Sequence, residues 1–293
     1  MAGIVPPAVA ADASSFQRKP GLMAWLVLLP LLAWLVIFVV VPTVMLVLLS
    51  FGEQKGLGTI HFTFTLDNYV RAFDWTWVKV LLVSVWYAFL ATIICMVVGY
   101  PVAYFIGRSP EKVRTILLTL VMIPFWTSFL IRTYAWITIL SKEGLVNSLL
   151  VAAQIIPEPI TILYTPFASV LGLVYNYLPF MILPIYTSVE RLDNAMVEAA
   201  YDLGAGPLRA FSQVIIPLTR PGIVAGTLLV FVPAIAMFAI TNLMGGGSPP
   251  TIGEVIYKQF TSGRNQPFGA ALGTLLLLIF IISLCLTRKQ REE

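Results

Sequence analysis

Charge is what this sequence most lacks. Only 11% of its 293 residues are Asp, Glu, Lys or Arg, against about a quarter in soluble domains, which excludes a water-soluble globule. Histidine is nearly absent: His61 stands alone, and one imidazole builds neither a metal site nor a catalytic cluster. The two cysteines, Cys95 and Cys285, each lie inside an apolar run, leaving no disulfide framework and no CxxC metal spacing. None of the seven lysines follows a Gly-rich turn, so there is no phosphate loop of the G-x-x-x-x-G-K-[ST] kind. Gly245 to Gly247 has no lysine behind it. These absences weigh against most enzyme classes and exclude ATP hydrolysis by this chain. No metal or cofactor is expected on it. The net charge of +4 is spread in small groups between apolar runs, which argues against a nucleic-acid face.

What is present is apolar length. Hydrophobic residues make up 59% of the chain, and its mean hydropathy is +0.91. Uncharged runs cover Leu22 to Phe51, Val80 to Gly107, Pro159 to Val189, Pro221 to Gly253 and Asn265 to Thr287, and Thr115 to Leu140 is broken only by Arg132. Each suffices for the roughly 20 residues that a bilayer crossing needs, and the first is too long for a signal-peptide core. The pattern predicts an all-α membrane protein with six spanning helices. A tail at 1–21 precedes one membrane domain at 22–287, and a second tail follows at 288–293. With the N-terminus cytoplasmic, eleven Lys and Arg fall on that side and six on the other, so the positive-inside rule puts both termini in the cytoplasm. The outer stretches Phe51 to Val78 and Ser141 to Glu158 are long enough for short helices. Leu145, Leu149, Ala152 and Ile156 have helical spacing.

The loop at 190–220 is the most informative. Asp193 or Asn194 suits a helix start, Ala199 and Ala200 its interior, and Gly204 the left-handed position that ends it; Pro207 can open a second helix. The result is a rigid helical knob. Glu198-Ala199-Ala200, three residues, Gly204, nine residues, then Val214-x-Ile216-Pro217 resembles the EAA loop of ABC-importer permeases, E-A-A-x3-G-x9-I-x-L-P. Val214 and Ile216 depart from it but remain apolar. The resemblance implies a methionine-importer-type permease fold and a knob that docks on an ATPase subunit. Glu198, Ala199, Ala200, Asp202, Gly204 and Pro217 would then be the coupling residues. The bland alternative is an amphipathic helix packed beneath the bundle.

Further stretches are similar to one branch, the first permease subunit of the spermidine/putrescine family: Pro124 to Trp136, Tyr175 to Met181, Phe231 to Ala234, and Gln266 to Ala271. This resemblance implies a multi-pass protein of the bacterial inner membrane. Its partners would be a second permease, an ATPase dimer carrying ATP and Mg, an extracytoplasmic polyamine-binding protein, and membrane lipid. A related branch would carry aminoethylphosphonate or another small organic ion instead. A self-contained secondary transporter would need ionisable groups within the spans, and on this map every acidic residue lies outside them.

The spans offer aromatics in place of carboxylates. On a helical wheel Trp126, Phe129, Thr133 and Trp136 share one face, as do Phe231, Ile235, Phe238 and Asn242. Ring faces attract ammonium groups by about 0.5 to 2 kcal/mol, which makes Trp126, Thr133, Trp136, Phe231, Phe238 and Asn242 the expected pathway residues; packing against helices or lipid is the alternative. Arg132 is expected to pair with an outer carboxylate or backbone carbonyls. An anionic substrate would instead make it a ligand.

Overall fold

A computed structural model describes residues 22–55, 59–247, 249–263 and 265–289. The expected N-terminal tail lies outside them, as do residues 290–293 of the expected C-terminal tail. α1 (Leu22–Leu35) and α2 (Val41–Ser50) form one rod through a π-turn at Val36–Val40. The turn sits immediately before Pro42, which has no N–H to continue the regular ladder. Short helices were expected over 51–78. Instead Glu53–Lys55 (β1) pairs antiparallel with Thr59–His61 (β2), and Asp67–Ala72 (α3) is the helical part. Asn68 ties α3 to the rod, donating to the carbonyls of Ser50 at 3.0 Å and Gly52 at 2.8 Å.

The centre is α4 (Trp75–Arg108), a helix of 34 residues and about 51 Å. α5 (Glu111–Trp126) and α6 (Phe129–Leu140) divide what was expected as one span. The backbone is extended at Thr127 and Ser128, just past Pro124, whose missing N–H weakens the last turn of α5. α7 (Leu145–Ala152) is the helix that its apolar spacing predicted. Buried Asn147 anchors it, donating to the carbonyls of Ser141 and Ile160 and accepting from the Ile160 N–H, each at 3.0 Å. α8 (Pro166–Glu190) begins with the Thr165 hydroxyl accepting from the Ala168 N–H.

The last third departs most from the sequence reading. α9 (Asn194–Asp202) and α10 (Pro207–Ala210) form the knob, and α10 runs through a π-turn at Phe211–Ile215 directly into α11 (Ile216–Ala236). The expected span Pro221 to Gly253 therefore starts earlier and stops at Ala236, three residues past Pro233. α12 (Ala239–Gly245), α13 (Ile252–Phe260) and α14 (Gln266–Lys289) follow, so Gly253 belongs to a separate helix.

Five helical stretches among the described residues are long and apolar enough to cross a bilayer: Leu28–Ser50, Trp75–Arg108, Phe129–Ala152, Pro166–Glu190 and Pro207–Ala236; Gln266–Ile282 of α14 is shorter. α8 packs against α4, α11 and α12. Ala88, Ala91, Cys95 and Ala103 of α4, all 0% exposed, face this core with Leu173, Met181 and Ile185 of α8. Small residues let membrane helices approach closely, where packing rather than water exclusion holds them together. At one end Arg114 pairs with Glu190 at 2.7 Å and Arg108 donates to Asn194. Towards the other end the Ile252 N–H donates to the Ser84 hydroxyl at 2.7 Å, about 36 Å along α4 from Arg108.

Candidate functional site

The knob is built as its residues predict. The Asp193 carboxylate accepts from the Ala195 N–H at 3.0 Å and starts α9. Gly204 ends it with φ of +81°, a conformation that costs a residue with a Cβ. Glu198, Ala199 and Asp202 are exposed, Ala200 is half-buried, and Pro217 is exposed in the first turn of α11. Leu203 and Leu208 stand out at 89% and 85% exposure on either side of the Gly204 turn. Two bare leucines leave an apolar surface at the turn, of the kind that marks contact with another molecule. Neither leucine was singled out in the sequence, because its exposure depends on how the two helices meet.

The predicted pathway residues do not form two continuous faces. Trp126 ends α5 and is 74% exposed, whereas Thr133 on α6 is fully buried, so the break at Thr127 separates them. Thr133 spends its hydroxyl on the Phe129 carbonyl at 2.8 Å. Trp136 meets Tyr175 edge-on at 5.5 Å between ring centroids. The second wheel fails for a like reason: Phe231 packs against the core from α11, while Phe238 and Asn242 lie beyond its end. Phe238 stacks on Tyr257 of α13 with centroids 4.6 Å apart and planes 12° apart.

Two charged side chains are buried. Glu254, one of the acids expected outside the spans, is 1% exposed in the first turn of α13. Its Oε1 accepts from Asn242 at 3.0 Å and from Lys258 at 2.6 Å, while Oε2 is buried without a partner. Arg132 makes no ion pair among the described residues; its guanidinium lies 5.8 Å from the Tyr175 ring centroid, and Nε and Nη1 are buried and unpartnered. The expected pairing with a carboxylate or carbonyl is therefore not made among the described residues. Gly246 and Gly247, at φ of +66° and +69°, turn the chain back over Glu254, and a Cβ on Gly247 would strike its Oε1. Chemically, this end of the bundle brings a buried carboxylate, an amide and a stacked ring pair together.

Residues 99–289, about two thirds of the chain, match the family described as "Binding-protein-dependent transport system inner membrane component". The chain belongs to that permease family. Among its relatives is the spermidine/putrescine transport system permease protein PotB of Escherichia coli (strain K12), 44% identical over 90% of this chain and 98% of that protein. PotB of Salmonella typhimurium (strain SL1344) is also 44% identical, over 90% and 94%. The permease fold is shared with a bacterial alginate ABC transporter in complex with an alginate pentasaccharide-bound periplasmic protein. The TM-score is 0.68 at 19% identity, over 91% of this chain and 94% of that one. A DDT domain description also matches residues 43–96. That segment is the end of α2, the hairpin, α3 and the first part of α4, which are pieces of the permease bundle and not a separate unit. The permease is a multi-pass protein of the inner membrane.

Proposed function

We propose that this permease is one of two membrane subunits of an ATP-driven importer of polyamines, the first of the pair. In this reading α14 completes six crossings and both termini are cytoplasmic. The knob then meets a separate ATPase dimer that binds ATP and Mg, and the opposite end receives cargo from an extracytoplasmic binding protein. The observation that carries the reading is the knob: an exposed EAA helix, held by a cap and a left-handed glycine, whose partner helix is the lower end of α11. The polyamine assignment rests on the 44% identity to permeases named for spermidine and putrescine. Exposed ring faces at Trp126 and Phe238 are of the kind that hold ammonium groups loosely enough to release them.

The test is reconstitution of the assembled complex in vesicles. Spermidine-dependent uptake and ATPase pull-down are expected to fall together in Glu198→Lys, with membrane insertion retained; unchanged pull-down and uptake would refute the coupling role. In a cysteine-free background, Ser212→Cys is expected to resist an impermeant thiol reagent from outside, and Ser262→Cys to react. The reverse pattern would invert the orientation.

One observation favours a second cargo. Arg132 is a buried cation with two idle nitrogens, which suits a small organic anion such as aminoethylphosphonate. Uptake of that compound, lost in Arg132→Gln, would favour this reading over polyamines.

A further inference from the structure

Among the described residues, Glu254 is the one carboxylate that is fully buried. Its surroundings do not fit a purely structural acid. Thr251-x-x-Glu254 has the spelling of a capping box, in which the glutamate would reach back to the N-cap N–H. Here the Thr251 hydroxyl is engaged with Thr241 at 3.1 Å, and Glu254 turns away to Asn242 and Lys258. Both of those contacts fall on Oε1. An ionised carboxylate offers about four acceptor positions, and Oε2, equally buried, uses none. An acid kept only for structure is expected to satisfy both oxygens, because each buried unpaired atom costs stability.

Lys258 explains how the site is reached. Its side chain is 50% exposed, yet its ammonium lies 2.6 Å from the buried oxygen. The amine therefore enters from the surface, stem outside and charge inside. Beside it the stacked rings of Phe238 and Tyr257 are 37% and 49% exposed, an apolar and cation-attracting wall for an alkyl chain. The Gly246–Gly247 turn lies against the carboxylate, with no side chain on Gly247 to crowd Oε1.

We propose that Glu254 is a binding site for the primary ammonium group of the cargo, and that Lys258 is its resident occupant, displaced when cargo arrives. The proposal rests on the polyamine reading above and names the site on this subunit. Exchange keeps the carboxylate paired throughout: one ammonium leaves as another enters. The displaced Lys258 charge swings outward along its half-exposed stem, so no ion is left buried alone. The return of Lys258 expels the bound amine, giving the site capture and release by the same route. The idle Oε2 receives a second N–H of a substrate ammonium, which has three donors to place.

The experiment uses the complete complex of both permeases and the ATPase, in nanodiscs of phosphatidylcholine and phosphatidylglycerol so that no lipid amine competes. Equilibrium binding of radiolabelled spermidine is measured without the binding protein. Glu254→Gln is expected to weaken binding by about tenfold or more. Lys258→Met, which keeps the stem and removes the competitor, is expected to tighten it several-fold. The double variant should be as weak as Glu254→Gln alone, because Lys258 has nothing to compete for once the carboxylate is neutral. Unchanged or weaker binding in Lys258→Met overturns the proposal, and so does a double variant in which the Lys258→Met gain still adds to the Glu254→Gln loss. If Glu254→Gln fails to assemble, the half-exposed Lys258→Met decides the matter by itself. Wild-type vesicles supplied with binding protein separate the two levels: no spermidine uptake there refutes the polyamine reading, whereas uptake with equal binding by all variants refutes only this site.

Discussion

The two ends of the bundle differ in how deeply they bury charge. At the knob end Arg114 and Glu190 pair while remaining 25% and 38% exposed, and Glu198 and Asp202 lie open on α9. These charges are cheap to keep and worth little to stability. At the opposite end Glu254 and Arg132 are buried, each with nitrogen or oxygen atoms lacking partners. Such groups persist at a cost and mark places where a ligand or partner completes the bonding. In the proposed function, one end is the surface that another protein grips and the other holds something small.

The sharpest way to break the comparison is to put a side chain on the glycine turn at each end. Gly204 and Gly247 both have positive φ, but a Cβ on Gly204 meets nothing within 4 Å whereas one on Gly247 meets Glu254. Gly247→Val is expected to do the larger damage, combining about 1 to 3 kcal/mol of backbone strain with collision against a buried carboxylate. The readout is loss of assembled complex and a lowered melting temperature in detergent. Gly204→Val incurs only the strain and leaves the bundle assembled, but it redirects Leu208 relative to Glu198. Uptake should drop to background with ATPase pull-down. Equal melting temperatures for the two variants would erase the distinction between the ends.

An intermediate effect is expected at the aromatic wall. Phe238→Tyr keeps the ring that stacks on Tyr257 and should retain uptake, whereas Phe238→Leu keeps bulk without a π face and should lose it several-fold. Leucine working as well as phenylalanine would make the residue packing alone. The smallest effect belongs to the exposed ion pair. Arg114→Ala and Glu190→Ala, alone or together, should each change stability by about 0.2 to 1 kcal/mol, with the pair energy read from the double-mutant cycle. A coupling above that range would show that the knob end also depends on charge burial.

The same contrast explains what could be read in the sequence. Within the knob, Asp193, Gly204 and Pro207 act through bonds and dihedrals within a few residues, so cap, turn and restart all stand where local chemistry puts them. Span boundaries near proline were less readable. Pro124 and Pro233 each lie close to a helix end, yet Pro101, Pro179 and Pro184 are carried inside continuous helices, because packing decides which weakened turn gives way. Glu254 was invisible for another reason. Its burial is created by Asn242, twelve residues earlier, and by the fold-back of α12 and α13 at a glycine turn. Hydropathy averages over neighbours in sequence and registers none of that. Leu203 and Leu208 illustrate the converse, since apolar residues inside an amphipathic segment read as packing until the helices are placed.

The continuity of α10 with α11 has a mechanical consequence. From Pro207 to Ala236 the chain is one rod of 30 residues, about 45 Å long. Pro217, Pro221 and Pro233 contribute no N–H, so the carbonyls of Gln213, Pro217 and Leu229 have no partner four residues ahead. The ladder is thus missing rungs near the middle of the rod and near its Ala236 end, while every residue from Gly222 to Val232 has its N–H. The rod is continuous but weakened at two places, one midway along it and one beside Met237. Its far end, at Ala236, lies two residues from Phe238, so under the proposed function one continuous element runs from the knob to the neighbourhood of the ring that stacks on Tyr257.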